Sequence, residues 1–561
     1  MDYETLCKVY SELESTPKGL EKTKILSEFL GEIKATPEFI YLLRGKVFAD
    51  YDSRELGFSQ QLAVRAIAKA LGEKDELVIN SFKNSGDLGS TIEDLFKRKQ
   101  QLSLFSKKLT VEKVLTNLKI LQTQEGTGSV DKKIGLIIEL LNSASAKEAK
   151  YIMRTVIGDM KIGVGDGLLR DSIVEFCFKP KDIEQKKQFS LKVQEAYDKV
   201  TDFAEVFEKA CKNQLGSIKL SPGKPVKVML FPKAKNVEDA FRIVGKPAAF
   251  EYKYDGFRVM INKDEKGKIK IFTRRLEEVT KQFPEIVEYV AKNVYGKTFI
   301  LDGEAVGFNA WTKEYTDFQA ISQRIRRKYD IEAMAKNLPI ELVLFDIIFY
   351  EGKNLIEKPF EERRNLIKKI TTEEKFKIIL AKQIISENIK EVETFYTQAL
   401  EEKQEGLMAK SLSAPYKPGA RVGYAVKLKP VDKDFDLVIT GAEWGTGKRA
   451  GWLTSFNVSC RDESGGLLEI GKVSTGLKEK KEEGLSYEEL TEKMKALIIT
   501  EDGTKIKVKP EVVVSVQYQN IQKSPTYSSG FALRFPRILR LREDRGIEDI
   551  TTVQDIESEV N

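Results

Sequence analysis

Apolar residues recur at helical spacing through the first 215 or so positions, as in FSQQLAVRAIAKALG (58–72), LTVEKVLTNLKIL (109–121) and KKIGLIIELL (132–141). A stripe of apolar side chains every three to four residues buries one face of a helix, so this part is expected to be all helical. Its connections are short and glycine-marked: SGDLGS (85–90), EGTGSVD (125–131) and GDMKIGVGDG (158–167). Close to basic residues, such turns either bring backbone N–H groups against phosphates or simply cap helices. The pattern changes at SPGKPVKVML (221–230), where two prolines and a glycine end the helical run. From 248 onward, alternating segments (AFEYKYDGFRVMIN, KIKIFT, TFILDGEAVGF, IELVLFDIIFY) are separated by helical stretches such as EIVEYVAKNV, which reads as mixed α+β. After 430 come FDLVITGAEWG, WLTSFNVSC, LLEIGKVST and EVVVSVQYQ, strands with one helical insert, SYEELTEKMKALI (486–498), as in a small β-barrel of the OB type. The domains therefore read 1–215, 216–430 and 431–561. The last 16 residues, Gly546 to Asn561, hold five acids and no base, and either fold back on a basic surface or fray.

The chain's 561 residues are enough for about three to five domains. With 41% hydrophobic and 32% charged residues it has ordinary globular composition, and no window offers the ~20 apolar residues that span a bilayer. The start, MDYETLCKVYSELEST, carries early acids and no basic-then-apolar leader, so the expected address is the cytoplasm, at the nucleoid. No histidine occurs, which excludes imidazole bases and imidazole-ligated zinc. Cys7, Cys177, Cys211 and Cys460 form no CxxC pair and read as scattered buried thiols. The net charge of +7 permits a polyanionic partner without demanding one.

The segment with most chemistry is Glu251-Tyr252-Lys253-Tyr254-Asp255-Gly256-Phe257-Arg258, a strand ending in a lysine and a glycine turn. Alternation puts Lys253 on the face opposite Tyr252 and Tyr254. A lysine amine held in a cleft among other cations, such as Arg258, gives up its proton more readily, as a nucleophile must. Taken alone, the pattern also fits a surface hairpin.

Its companions decide the matter. KYDGFR (253–258), TRRLEEVT (273–280), LDGEAV (301–306), LFDIIFYEG (344–352), EGLMAK (405–410), VKLKP (426–430) and SGFALRFPRILRLRED (529–544) follow one another along the chain. In this order they resemble the nucleotidyltransferases that form a covalent lysine–nucleotide intermediate, and among them the ATP-dependent DNA ligases of archaeal and eukaryotic type. The resemblance implies a multidomain fold: an all-α N-terminal DNA-binding domain, an α+β adenylation domain and a C-terminal OB-fold β-barrel. It implies Lys253 as the nucleophile on the α-phosphate of ATP, with Glu304 and Glu405 as ligands of Mg²⁺ (or Mn²⁺), a hard cation suited to carboxylates and water. It places Phe345 and Glu251 at the adenine, and Arg258, Arg274, Arg421, Lys427, Lys429 and Lys410 around the ribose and phosphates. Arg534, Arg537, Arg540 and Arg542 are similar to the family's last motif, which meets pyrophosphate or DNA phosphate. The chain departs from the pattern at Thr273, where serine is usual, at Tyr424, where relatives often carry tryptophan, and at VKVMLF (226–231).

The N-terminal part is similar to the family's DNA-binding domain through GDLG (86–89), EGTGSVDKK (125–133) and MKIGVGDGLLRD (160–171). The implied partner is nicked duplex DNA, gripped through phosphate and sugar without reading bases. The segment Gln101 to Phe105 resembles the one by which archaeal relatives bind a sliding clamp; a loop closing on its own helices also wants Leu and Phe. A monomer is expected. A capping guanylyltransferase or RNA ligase shares KxDG, but the helical N-terminal part argues against both, and the absence of a tetracysteine site argues against an NAD-dependent relative.

Overall fold

The computed structural model of the chain describes all residues except 53, 99–107, 127, 317, 326, 328–329, 431–432, 446–448, 450, 480–481, 483 and 561. The clamp-like segment 101–105 thus lies outside the described residues. The chain forms two compact units, Met1–Lys429 and Pro430–Asn561. Among the described residues no helix is long and apolar enough to cross a membrane.

The first unit begins with helices from Tyr3–Ser15 to Phe203–Cys211 around one apolar core. Side chains and glycines mark their ends. Ser59 accepts a bond from the Leu62 amide, and Ser145 and Glu148 form a reciprocal capping box. Gly86 and Gly158 close helices with φ of +63° and +78°, so these two turns do cap helices.

The GDLG and MKIG turns lie side by side, joined by a buried polar cluster. Asp87 accepts bonds from the Gly89 and Ser90 amides and starts the next helix. Arg154, 3% exposed, reaches it at 2.6 Å, Glu14 at 3.0 Å and the Met160 carbonyl at 3.3 Å. Gly89 serves this packing, since a Cβ there would lie 2.6 Å from Arg154 Cγ. Against the cost of burial, Arg154, the Ser90 hydroxyl and Lys161 bring the Asp87 carboxyl down to about 2. A carboxylate lowered on folding stabilises the native state above its unfolded value and loses that contribution as pH falls toward 2. Arg154→Ala, which leaves Asp87 buried without its main partner, should cost about 3 kcal/mol in urea unfolding at pH 7. That difference should shrink between pH 4 and 2.

The rest of the first unit carries two sheets. One runs in the order Lys233–Ala234, Ala425–Leu428, Leu407–Ser411, Ala248–Tyr252, Gln383–Ser386. The other runs Ile269–Thr273, Phe257–Lys263, Phe299–Gly307, Ile340–Tyr350, Lys353–Asn354, with Ile378–Leu380 parallel to Ile340–Tyr350. Strands Ala248–Tyr252 and Phe299–Gly307 are buried almost throughout, which explains their near-continuous apolar character. Four residues separate Ala248–Tyr252 in the first sheet from Phe257–Lys263 in the second, and Lys253 is the first of them.

The second unit is strand-rich. Its main sheet runs Leu467–Val473, Leu453–Arg461, Lys433–Trp444, Lys505–Val508, Ile498–Asp502, and Val513–Tyr518 pairs with both Lys433–Trp444 and Arg537–Leu541. The helical insert is Tyr487–Lys495, capped by Ser486. The acidic end does not fray among the described residues: Val553–Val560 is a helix that buries Ile556 and pairs Glu559 with Lys433. The cysteines are not uniformly buried thiols. Cys7 and Cys460 are, but Cys177 and Cys211 are half-buried and face each other, because separate helices bring them together.

Candidate nucleotidyl-transfer site

Lys253 follows a strand whose next residue, Tyr254, and last, Tyr252, are buried in the core, leaving the lysine on the open side. Two backbone bonds fix it against the 405–406 loop: its N–H donates to the Gly406 carbonyl, and its carbonyl accepts from the Glu405 amide, both at 2.8 Å. Lys253 Nζ is 2.8 Å from Glu405 Oε2, and Lys429 Nζ meets the same oxygen. Glu405 stands in the loop before Leu407–Ser411.

Glycine makes this approach possible at two points. A Cβ on Gly256 would lie 2.3 Å from the Ala305 carbonyl oxygen and 3.0 Å from Glu304 Cγ. The glycine of KxDG is therefore required for close approach of backbones and not for a left-handed turn. Gly406, at φ +132°, would place a Cβ 2.2 Å from the Leu428 carbonyl oxygen.

The two glutamates differ sharply. Burial raises the Glu405 carboxyl, but Lys253 and Lys429 outweigh it and hold the group near about 2. Desolvation pushes Glu304 up to about 8; Lys253 and Arg258 pull it down, while Glu405 and Asp302 push it further up. Glu304 faces Arg258 across the strand pair, and Arg258 is engaged elsewhere: its guanidinium forks onto both oxygens of Asp302 and donates to the Met229 carbonyl at 2.8 Å. Buried Tyr416 donates to the same Asp302 at 2.8 Å. Arg258 thus braces the wall of the site through Asp302.

Lys427, Lys429, Arg421 and Arg274 gather on the Lys253 side. Burial first, then Lys429, Lys253, Arg421 and Arg274, lower the Lys427 ammonium. Burial and Lys253 lower Lys429 against the pull of Glu405. Arg274 and Arg421 are exposed. At the other end, Glu251 is buried and accepts from Lys410 at 2.6 Å and Gln383 at 2.9 Å. Lys410 Nζ lies 4.9 Å and Arg258 Cζ 5.4 Å from the half-buried ring of Phe345. Lys410, expected among the phosphate cations, makes its contacts with Glu251 and this ring. Beside Phe345, Asp346 binds Arg363, which is 1% exposed.

In the second unit Arg537 and Arg540 are exposed on the strand Arg537–Leu541, and Arg534 ends Phe531–Arg534. Arg542 is committed within the unit, to Asp436 and Asp544 at 2.7 Å each. Asp302, Tyr416, Met229 and Gln383 were not singled out in the sequence. Asp302 sits inside LDGEAV and was open to notice; Tyr416 lies in an aperiodic loop that offers no signal.

Two carboxylates beside a cluster of cations fit a divalent ion together with a polyphosphate. Among the described residues no group of three or more Asp, Glu, His or Cys is placed to hold a metal ion, so water and phosphate oxygens would complete a shell begun by Glu304 and Glu405. Glu304, raised by desolvation despite Lys253 and Arg258, would gain from a further cation beside it.

Residues 2–174, 228–429 and 449–545 match the family models described as DNA ligase N terminus, ATP dependent DNA ligase domain and ATP dependent DNA ligase C terminal region. A protein named DNA ligase from Nanoarchaeum equitans (strain Kin4-M) is 45% identical, over 99% of this chain and 98% of its own. One of the same name from Thermococcus fumicolans is 41% identical over the same shares. A solved structure described as Pmar-Lig_PreS3 is similar in fold, with a TM-score of 0.57 at 18% identity, covering 96% of this chain and 99% of that one.

Proposed function

The chain belongs to the ATP-dependent DNA ligases, and from that membership we infer that it seals single-strand nicks in duplex DNA with Lys253 as the adenylated residue. The observation that carries the residue assignment is the contact of Lys253 with Glu405, at the edge of a cluster formed by Lys427, Lys429, Arg421 and Arg274.

In the first step the Lys253 amine attacks the α-phosphorus of ATP. A P–N bond forms, the bond to the bridging oxygen breaks and pyrophosphate leaves. Glu405 Oε2 holds Nζ in place beforehand, and the amine must leave this ion pair and lose a proton to attack. AMP then passes from Lys253 to the 5′-phosphate of the nick, and the 3′-hydroxyl displaces AMP to form the phosphodiester. Mg²⁺ or Mn²⁺, held by Glu304 and Glu405, would neutralise phosphate charge when bound. Phe345, Glu251 and Lys410 frame the adenine end. Lys427, Lys429, Arg274 and Arg421 offer charge to the phosphates, and Arg258 orients the wall. Arg534, Arg537, Arg540 and Arg542 are assigned to pyrophosphate or DNA phosphate, with Arg542 held by Asp436 and Asp544. The same reading takes residues 1–215 as the DNA-binding domain, the C-terminal unit as an OB barrel, and the protein as a cytoplasmic monomer that meets a sliding clamp through residues 101–105.

Incubation with ATP or GTP labelled on the α-phosphate, followed by a denaturing gel, tests the reading. An adduct from ATP is expected; an adduct from GTP alone would point to a capping enzyme and overturn it. Gly256→Ala provides a second test. The added methyl must separate the turn carrying Lys253 from the strand carrying Glu304, so adduct formation should fall at least about tenfold. Stability should fall by about 2 kcal/mol. Wild-type labelling rates in this variant would argue against the assigned geometry.

A further inference from the structure

Cys177 and Cys211 sit in the last turns of the helices Asp166–Phe178 and Phe203–Cys211, 34 positions apart in sequence, with their Sγ atoms 2.7 Å apart. A disulfide bond is about 2.05 Å long, and bridging requires side chains that already point at one another. Here the packing of the two helices provides that without help from sulfur. Phe176 lies against Phe207 with ring centroids 6.1 Å apart, and Val174, Val206, Phe207 and Ala210 are buried. Both cysteines remain half-buried, unlike Cys7 and Cys460, so a small molecule can reach them. The hydrogen bond from the Cys177 thiol lowers Cys211 and raises Cys177, and the Lys34 ammonium nearby favours the thiolate at both. A half-exposed thiol that gives up its proton more readily, held against a second thiol, is a site for exchange chemistry.

We propose that Cys177 and Cys211 are a redox-reversible staple, which closes by exchange with a low-molecular-weight disulfide, R–S–S–R. The Cys211 thiolate attacks one sulfur of that disulfide, forming Cys211–S–S–R and releasing R–S⁻. Cys177, as its thiolate, then attacks Cys211 Sγ, forming the internal bond and expelling the second R–S⁻. The two protons of the protein thiols pass to the two leaving thiolates. The protein loses two hydrogens and the small disulfide becomes two thiols.

The closed loop contains the helix Ile183–Val200, whose outer face leaves Ile183 and Leu191 exposed at 86% and 57%. Joining its flanking helices restricts the unfolded chain and resists local opening of this part of the helical region.

The test uses the full-length protein incubated with oxidised glutathione, then denatured, alkylated and analysed by mass spectrometry. The expected product is one cross-linked peptide pair, Cys177 with Cys211, lighter by two hydrogens, with Cys7 and Cys460 alkylated. Alkylation of all four cysteines, or glutathione retained on Cys177 or Cys211, overturns the proposal. The oxidised protein should melt about 5 °C higher than the reduced one. Dithiothreitol should reverse the shift, and Cys211→Ser should remove it. A cross-link that leaves melting unchanged, or a shift that persists in Cys211→Ser, defeats the claim of a staple. If that variant does not fold, the peptide analysis of the native sequence decides alone.

Discussion

Lys253→Ala is expected to form no AMP adduct with labelled ATP, with nick sealing falling by at least about 10⁴-fold, as when an enzyme loses its covalent nucleophile. Binding to nicked duplex should stay within a few fold of wild type, because the expected phosphate contacts are spread over three domains and one lysine is a small part of them. The fold should also survive. Lys253 is on the open side of its strand, and its local backbone bonds run through Gly406 and the Glu405 amide. Lys253→Arg should fail equally, since a guanidinium keeps its charge and cannot attack. A gel showing AMP on the alanine variant would move the nucleophile elsewhere and dissolve the assigned site.

The second large effect is expected from Glu405→Ala. In the structure this carboxylate ties down Lys253 and Lys429 and is held near about 2 by them, against its own burial. Its removal leaves Lys253, Lys427 and Lys429 crowded together with one counter-charge fewer, and takes away half of the carboxylate pair. Adenylation should slow by about 10²–10³-fold, the scale found when one charge-stabilising group is lost from a preorganised site. ATP affinity should change only a few fold, since Lys427, Lys429, Arg274 and Arg421, proposed to meet the phosphates, remain. Glu405→Gln separates the causes: an amide keeps the contact to Nζ but not the charge, so a rate close to that of alanine assigns the role to charge. Unchanged turnover in both variants would remove Glu405 from the site.

Much of the site could be read along the chain. KYDGFR, LDGEAV, EGLMAK and VKLKP each carry two or more charged residues in a strand or turn context, and their succession pointed to the chemistry without the fold. What did not show was which charge answers which. Arg258 read as a cation for the nucleotide, yet it forks onto Asp302, with Tyr416 on the same carboxylate. Lys410 read as a phosphate contact, yet it meets Glu251. Partner choice depends on which strands are neighbours, and pairs such as Glu251 with Lys410 are separated by most of a domain in sequence. The same limit explains Cys177 and Cys211: no CxxC spacing announced them, because two helices provide the proximity that a local motif otherwise would.

By itself the sequence determined the succession of helical, mixed and strand-rich regions, because periods of 3.6 and 2 follow from how each element buries one side. Through the succession of motifs and the resemblance they carry, it also pointed to Lys253, Glu304 and Glu405 as the proposed amine and carboxylates. Only the tertiary structure decided that Gly256 is there for close backbone approach, that desolvation raises Glu304 while two lysines lower Glu405, and that two distant thiols touch. Each of these depends on distance and desolvation between segments far apart along the chain, and both arise only when the sheets and helices pack.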